Sequence, residues 1–143
     1  MLVTASPAPT ASYCLNPEPA QVGRAREQAR NALPGWGLAD YTELAELIVS
    51  ELVTNALVHG NGQIEVYLSY ARGSLRAAVH DCGGGRPARQ HPAADRESGR
   101  GLELIDGLIE PYGGRRGVVN DGDCPGKTVY VAVSLAPDPK GIQ

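Results

Sequence analysis

Glu51-Leu52-Val53-Thr54-Asn55-Ala56-Leu57-Val58-His59-Gly60 is the stretch on which the reading of this chain turns. It closes a helix expected from about Ala39 to Val58, with Gly60 where helices commonly stop. At about 100° per residue, Leu44, Leu47, Ile48, Leu52 and Val58 mark an apolar face. Glu51 and Asn55 fall within that stripe, one helical turn apart and therefore side by side. A carboxylate on a core-facing stripe is costly unless something pairs with it. The two residues are then either a satisfied buried couple or the floor of a site. In the second case Asn55 can offer an oxygen to Mg²⁺, and Glu51 can take the proton of an attacking hydroxyl. His59, a turn further on, either closes that site or caps the helix end.

The sequence to either side supplies the frame. Upstream, Val22, Ala25, Ala29 and Leu33 recur at helical spacing between Glu18 and Leu33, interleaved with Arg24, Arg26 and Arg30. Pro34-Gly35-Trp36-Gly37 stops that helix, and Ala11 to Leu15 precedes it as a short edge strand. Downstream, Ile64 to Tyr70 alternates as a strand, with Ile64, Val66, Leu68 and Tyr70 on one face. A turn at Arg72-Gly73-Ser74 joins it to Leu75–His80 as a hairpin. After a polar, Gly-rich stretch come a helix from Leu102 to Ile109 and a Gly113-Gly114 turn. A short strand around Gly117 to Asn120 follows. In the last strand, Thr128 to Leu135, Val129, Val131, Val133 and Leu135 alternate with Thr128, Tyr130, Ala132 and Ser134. The expected domain runs over residues 11–136, with a lid at about 84–100, a flexible leader at 1–10 and a flexible tail at 137–143. The fold class is α+β: a two-layer sandwich with a mixed, mostly antiparallel sheet and about three helices on one face.

Two further segments carry chemistry. Asp81-Cys82-Gly83-Gly84-Gly85 ends an apolar strand in a carboxylate followed by glycines. Such an Asp can accept a hydrogen bond from an exocyclic amine, and the glycines let a flat ligand approach the backbone. Ser98-Gly99-Arg100-Gly101-Leu102 opens a helix after a loop, where free N–H groups can receive an anion. Gly122-Asp123-Cys124-Pro125-Gly126-Lys127-Thr128 mimics a phosphate loop. It is one residue short between its glycines and runs into a strand where that motif must open a helix, so it is rejected.

Composition removes other classes. The chain has 143 residues, 42% hydrophobic and 20% charged, enough for one core. Its 13 basic against 16 acidic residues leave a net charge of −3, with no basic excess to neutralise nucleic-acid phosphates. No apolar run approaches the roughly 18 residues of a membrane span. The first residues lack Lys and Arg and are broken by Pro7 and Pro9, so a secretory signal is not expected and the location is read as cytoplasmic. Cys14, Cys82 and Cys124 are scattered and odd in number, which suits reduced thiols and neither a zinc site nor a disulfide framework.

In order and in placement, these segments resemble the GHKL ATPases (gyrase, Hsp90, histidine kinase, MutL) with their Bergerat nucleotide fold. Glu51-Leu52-Val53-Thr54-Asn55-Ala56 looks like the N box, Asp81 to Gly85 like the first glycine box, and Gly99-Arg100-Gly101-Leu102 like the second. Gly126-Lys127-Thr128 is similar to the closing G-x-T element. The run ending in His59-Gly60 and the G-R-G-L form resemble the bacterial anti-sigma-factor serine/threonine kinases. That resemblance implies transfer of the γ-phosphate of ATP to a STAS-domain anti-anti-sigma protein. It also implies restraint of a sigma factor, a homodimer, and ATP and Mg²⁺ as substrate and cofactor. On the same basis Asp81 takes the adenine amino group with Thr128 in support, Asn55 ligates Mg²⁺, and Glu51 is the catalytic base. His59, Gly83, Gly85, Gly99, Arg100, Gly101 and Leu102 complete the nucleotide site. The alternative is a catalytically silent ATP- or ADP-binding regulator that sequesters a protein partner. A detached histidine-kinase domain is disfavoured, because no helical hairpin with a phosphoacceptor histidine precedes the N box.

Overall fold

The computed structural model describes residues 10–16, 18–59, 62–81, 102–120 and 126–136, with the backbone alone for Tyr13, Leu15, His59 and Asn120. The expected lid and tail, residues 1–9 of the expected leader, and Gly60, Gly83, Gly85, Gly99, Arg100 and Gly101 lie outside the described residues, while Thr10, expected in the leader, begins a strand. In chain order the elements are β1 (Thr10–Leu15), α1 (Gln21–Ala32), α2 (Thr42–His59), β2 (Ile64–Ala71) and β3 (Ser74–Asp81). These are followed by α3 (residues 102–109), β4 (Arg115–Asn120) and β5 (Lys127–Ser134). The five strands form one sheet in the order β1-β2-β3-β5-β4. All four pairings are antiparallel, so no parallel pair appears among the described strands. The architecture is the α+β sandwich that the sequence leads one to expect.

Local chemistry sets the turns. Arg72 and Gly73, at φ of 56° and 76°, form the tight β2–β3 connection, where two successive left-handed residues match the twist of the strands. After α1 the chain tightens into a short 3-10 turn over Leu33–Trp36 with Pro34 at its start, and Gly37 at φ 79° reverses it. Thr42 begins α2 with its hydroxyl donating to the Ala39 carbonyl at 2.9 Å.

The core lies between one face of the sheet and the helices. Val66, Leu68, Leu75, Val79, Val131 and Val133 project from the strands onto Ile48, Val49, Leu52 and Val53 of α2. Ala25 and Ala29 of α1 are fully buried; their small side chains let α1 pack closely beside α2. Glu46 of α2 sits between Arg26 and Arg30 of α1, at 3.6 and 2.9 Å, and ties the two helices at their solvent edge. No helix among the described residues is long and apolar enough to cross a membrane.

One expectation about α2 needs correction. Leu47 and Val58, assigned to the apolar face, are 39% and 37% exposed. The buried arc is Ala45, Ile48, Val49, Leu52, Val53 and Ala56. The helix is apolar around most of its circumference, so periodicity alone does not choose which side meets the sheet. The small residues do: Ala45, Val49, Val53 and Ala56 permit the closest approach. Asn55 therefore lies buried at one edge of that arc, with Glu51 half-buried just outside it.

Candidate nucleotide site

The site is built at one end of the sandwich. Asp81 is the last residue of β3 and is paired across the sheet with Ile64, the first residue of β2, and with Lys127, the first of β5. Ile64 follows His59, the last residue of α2, after only a short connection, so the C-terminal end of α2 stands over the strand end that carries Asp81. Asn55 lies one turn inside that helix end. Asp81 is 3% exposed and Asn55 8%, two polar side chains held in an otherwise apolar core. Glu51, a turn further back, is half-buried and faces the N-terminal turn of α3 across a cleft that it lines together with Glu103 and Leu104. Leu102, the first residue of α3, packs partly buried on the core.

The sheet register separates two residues that the family resemblance put together. In an antiparallel pair, residues directly opposite share a face. Asp81 stands opposite Lys127, whereas Thr128 stands opposite His80 and Val119. Asp81 and Lys127 are thus on the helix-covered face, and Thr128 is on the other face beside His80. The expected support of Asp81 by Thr128 is not what this register provides. Lys127 is the β5 residue that stands across from Asp81, and the alternation of buried Val129, Val131 and Val133 with Thr128 and Tyr130 is the signal for that register. The backbone of His59 ends α2 at this site.

The arrangement gathers a carboxylate at a strand end, a buried carboxamide, a second carboxylate at a cleft, and the start of a helix. That set can hold a flat amine-bearing ring at one end and an anion at the other. The family described as the histidine kinase-like ATPase domain matches residues 15–131. The chain belongs to that family. As a GHKL-type ATP-binding domain it is also similar in fold to the histidine kinase domain of a blue-light activated histidine kinase from Erythrobacter litoralis EL346. That similarity has a TM-score of 0.51 at 21% sequence identity, and covers 90% of this chain and 65% of the other. This ATPase domain thus spans just under two thirds of the length of that kinase domain. No curated protein matches it in sequence.

On the opposite face of the sheet lies a polar group that sequence reasoning did not anticipate. Tyr67 donates a 2.7 Å hydrogen bond to Glu65, His80 Nδ1 lies 3.5 Å from the same Oε1, and the Cys14 thiol is 3.9 Å from Oε2. Cys14, Glu65 and His80 form a row across β1, β2 and β3. Their partners are set by strand register, which no local motif announces.

Proposed function

We propose that this ATPase domain is a Mg²⁺-dependent protein serine/threonine kinase. In this reading it acts as a cytoplasmic, homodimeric anti-sigma factor that phosphorylates a STAS-domain anti-anti-sigma protein. The observation that carries the catalytic part is the position of Glu51: half-buried, one turn from Asn55, and facing an open cleft. The sequence form of the N box and of the G-R-G-L segment supports the choice of partner.

Asp81 accepts the hydrogen bond of the adenine amino group, and the N-terminal N–H groups of α3 face the phosphates. No group of three His, Cys, Asp or Glu among the described residues could hold a metal ion by itself. Asn55 would hold a Mg²⁺ ion together with oxygens of the nucleotide, as is usual for that ion. Bound there, Mg²⁺ would supply neutralisation of the charge on the transferring phosphoryl group. Glu51 accepts the proton of the acceptor Ser or Thr hydroxyl as its oxygen bonds to the γ-phosphorus and the bond to the β–γ bridging oxygen breaks, releasing ADP. A protein that only bound nucleotide would need no base at Glu51.

Calorimetric titration with ATP and ADP, with and without Mg²⁺, tests the site. Asp81→Asn replaces an acceptor oxygen by a donor, and affinity should fall by about tenfold to a hundredfold, as expected for a hydrogen bond to a charged group. Unchanged affinity would remove the adenine assignment. Glu51→Ala should keep ATP bound while transfer of labelled phosphate to a STAS-domain protein drops by about 10²–10⁴. Transfer that is absent in the wild type as well would favour the silent regulator.

A further inference from the structure

The cleft beside Glu51 continues beyond the nucleotide site. It encloses about 380 Å³ between α2 and α3 and is lined by Leu47, Glu51, Glu103, Leu104, Gly107 and Leu108. Each helix presents a pair of side chains one turn apart: Leu47 and Glu51 on α2, Leu104 and Leu108 on α3. Gly107 keeps the wall low, since a Cβ there would meet nothing within 4 Å. Leu104 is 61% exposed and Leu47 39%, and the two share the lining of one cleft as an exposed apolar surface. Among the described residues, the charged groups lining the cleft are Glu51 and Glu103, both acidic.

This lining selects its occupant. The floor of Leu47, Leu104 and Leu108, beyond Glu51, offers no side-chain donor to a nucleotide phosphate. An aliphatic side chain fits the floor, and a Lys or Arg on either side of it meets Glu51 and Glu103. We propose that this cleft docks the acceptor protein, seating an amphipathic segment whose aliphatic residues are flanked by Lys or Arg. The inference rests on Glu51 being the base, because the same cleft would then deliver the hydroxyl to it. Apolar burial supplies the affinity, and the acidic rim sets the preference for a basic partner.

The test uses the full chain without nucleotide and fluorescence anisotropy of labelled helical peptides of about 15 residues, with Leu at i, i+3, i+4 and i+7. One peptide carries Lys and Arg at the remaining positions. A second carries Glu there, and a third is basic with Ser in place of Leu. The basic Leu peptide should bind at least about tenfold more tightly than either of the others. Leu104→Ser should weaken it by about tenfold; the side chain is exposed enough for the variant to fold, which circular dichroism checks. Val119→Ser, on the far face of the sheet, should leave binding unchanged. No binding of the basic Leu peptide, equal binding of the acidic one, or indifference to Leu104→Ser would overturn the proposal. Docking is read without ATP and should survive Asp81→Asn, so its failure is distinct from failure of the nucleotide site. Docking intact with no phosphate transfer would instead remove Glu51 as base.

Discussion

Tyr67 shows how one hydrogen bond changes the chemistry of a surface side chain. Its hydroxyl donates to the Glu65 carboxylate, which favours the protonated phenol, and the pKa is pushed up to about 12. The folded state therefore holds this proton more tightly than the unfolded chain. The linked stabilisation is complete below pH 10 and is lost as pH rises from about 10 to about 12. Ultraviolet titration should show Tyr67 ionising near pH 12, well after a tyrosine at the ordinary value, with Tyr70 also shifted upward by burial. Glu65→Ala should bring Tyr67 back toward 10, and a spectrum unchanged by that substitution would deny the bond. Glu65 also lies near His80 and Cys14, so the variant reports on the whole row.

At the scale of elements, α3 is fixed to the sheet by a charged fork. Arg116 of β4 donates two hydrogen bonds to Asp106, at 2.7 and 3.0 Å, and these hold the Asp106 carboxyl below its usual range. The sign follows directly: the pair's stabilisation is present above the ordinary carboxylate pKa near 4 and is lost as pH falls through the depressed folded value. Asp106 is about half-exposed, so solvent screens the pair, and Asp106→Asn should cost only about 0.5–1 kcal/mol at neutral pH. Urea unfolding of the two proteins should converge at pH values below the depressed folded pKa of Asp106, where its carboxyl is protonated and the ion pair is gone. Strand register gives a second prediction at this scale. Because Thr128 lies on the face opposite Asp81, Thr128→Val should leave ATP affinity within about twofold, whereas loss of a direct hydrogen bond would cost more. A tenfold loss by calorimetry would place the hydroxyl in the site.

For the molecule as a whole, the rotation of α2 decides what is core and what is surface. Leu52 is fully buried and Leu47 is not, although both belong to the stripe that periodicity suggests. Leu52→Ala should cost about 2–5 kcal/mol in thermal or denaturant unfolding, and Leu47→Ala under about 1 kcal/mol. Equal costs would mean that both face the core.

The order of the elements, the hairpin at Arg72-Gly73 and the inward rows of β2, β3 and β5 were set by the sequence alone. Period-two and period-3.6 patterns and turn residues act between near neighbours, and they bury the same residues in any packing of those elements. The pairing of Glu51 with Asn55 was legible for the same reason, being one helical turn. Other facts exist only once elements meet. Which side of α2 faces the sheet, in a helix whose apolar residues are spread around most of its circumference, depends on where small residues allow close approach. That Lys127 and not Thr128 stands across from Asp81 depends on strand register. The forks from Arg26 and Arg30 to Glu46 and from Arg116 to Asp106 join separate elements, as does the acidic, leucine-lined cleft between α2 and α3. Contacts between residues far apart in the chain carry no local signature, because the free energy that selects them is the packing of the whole core.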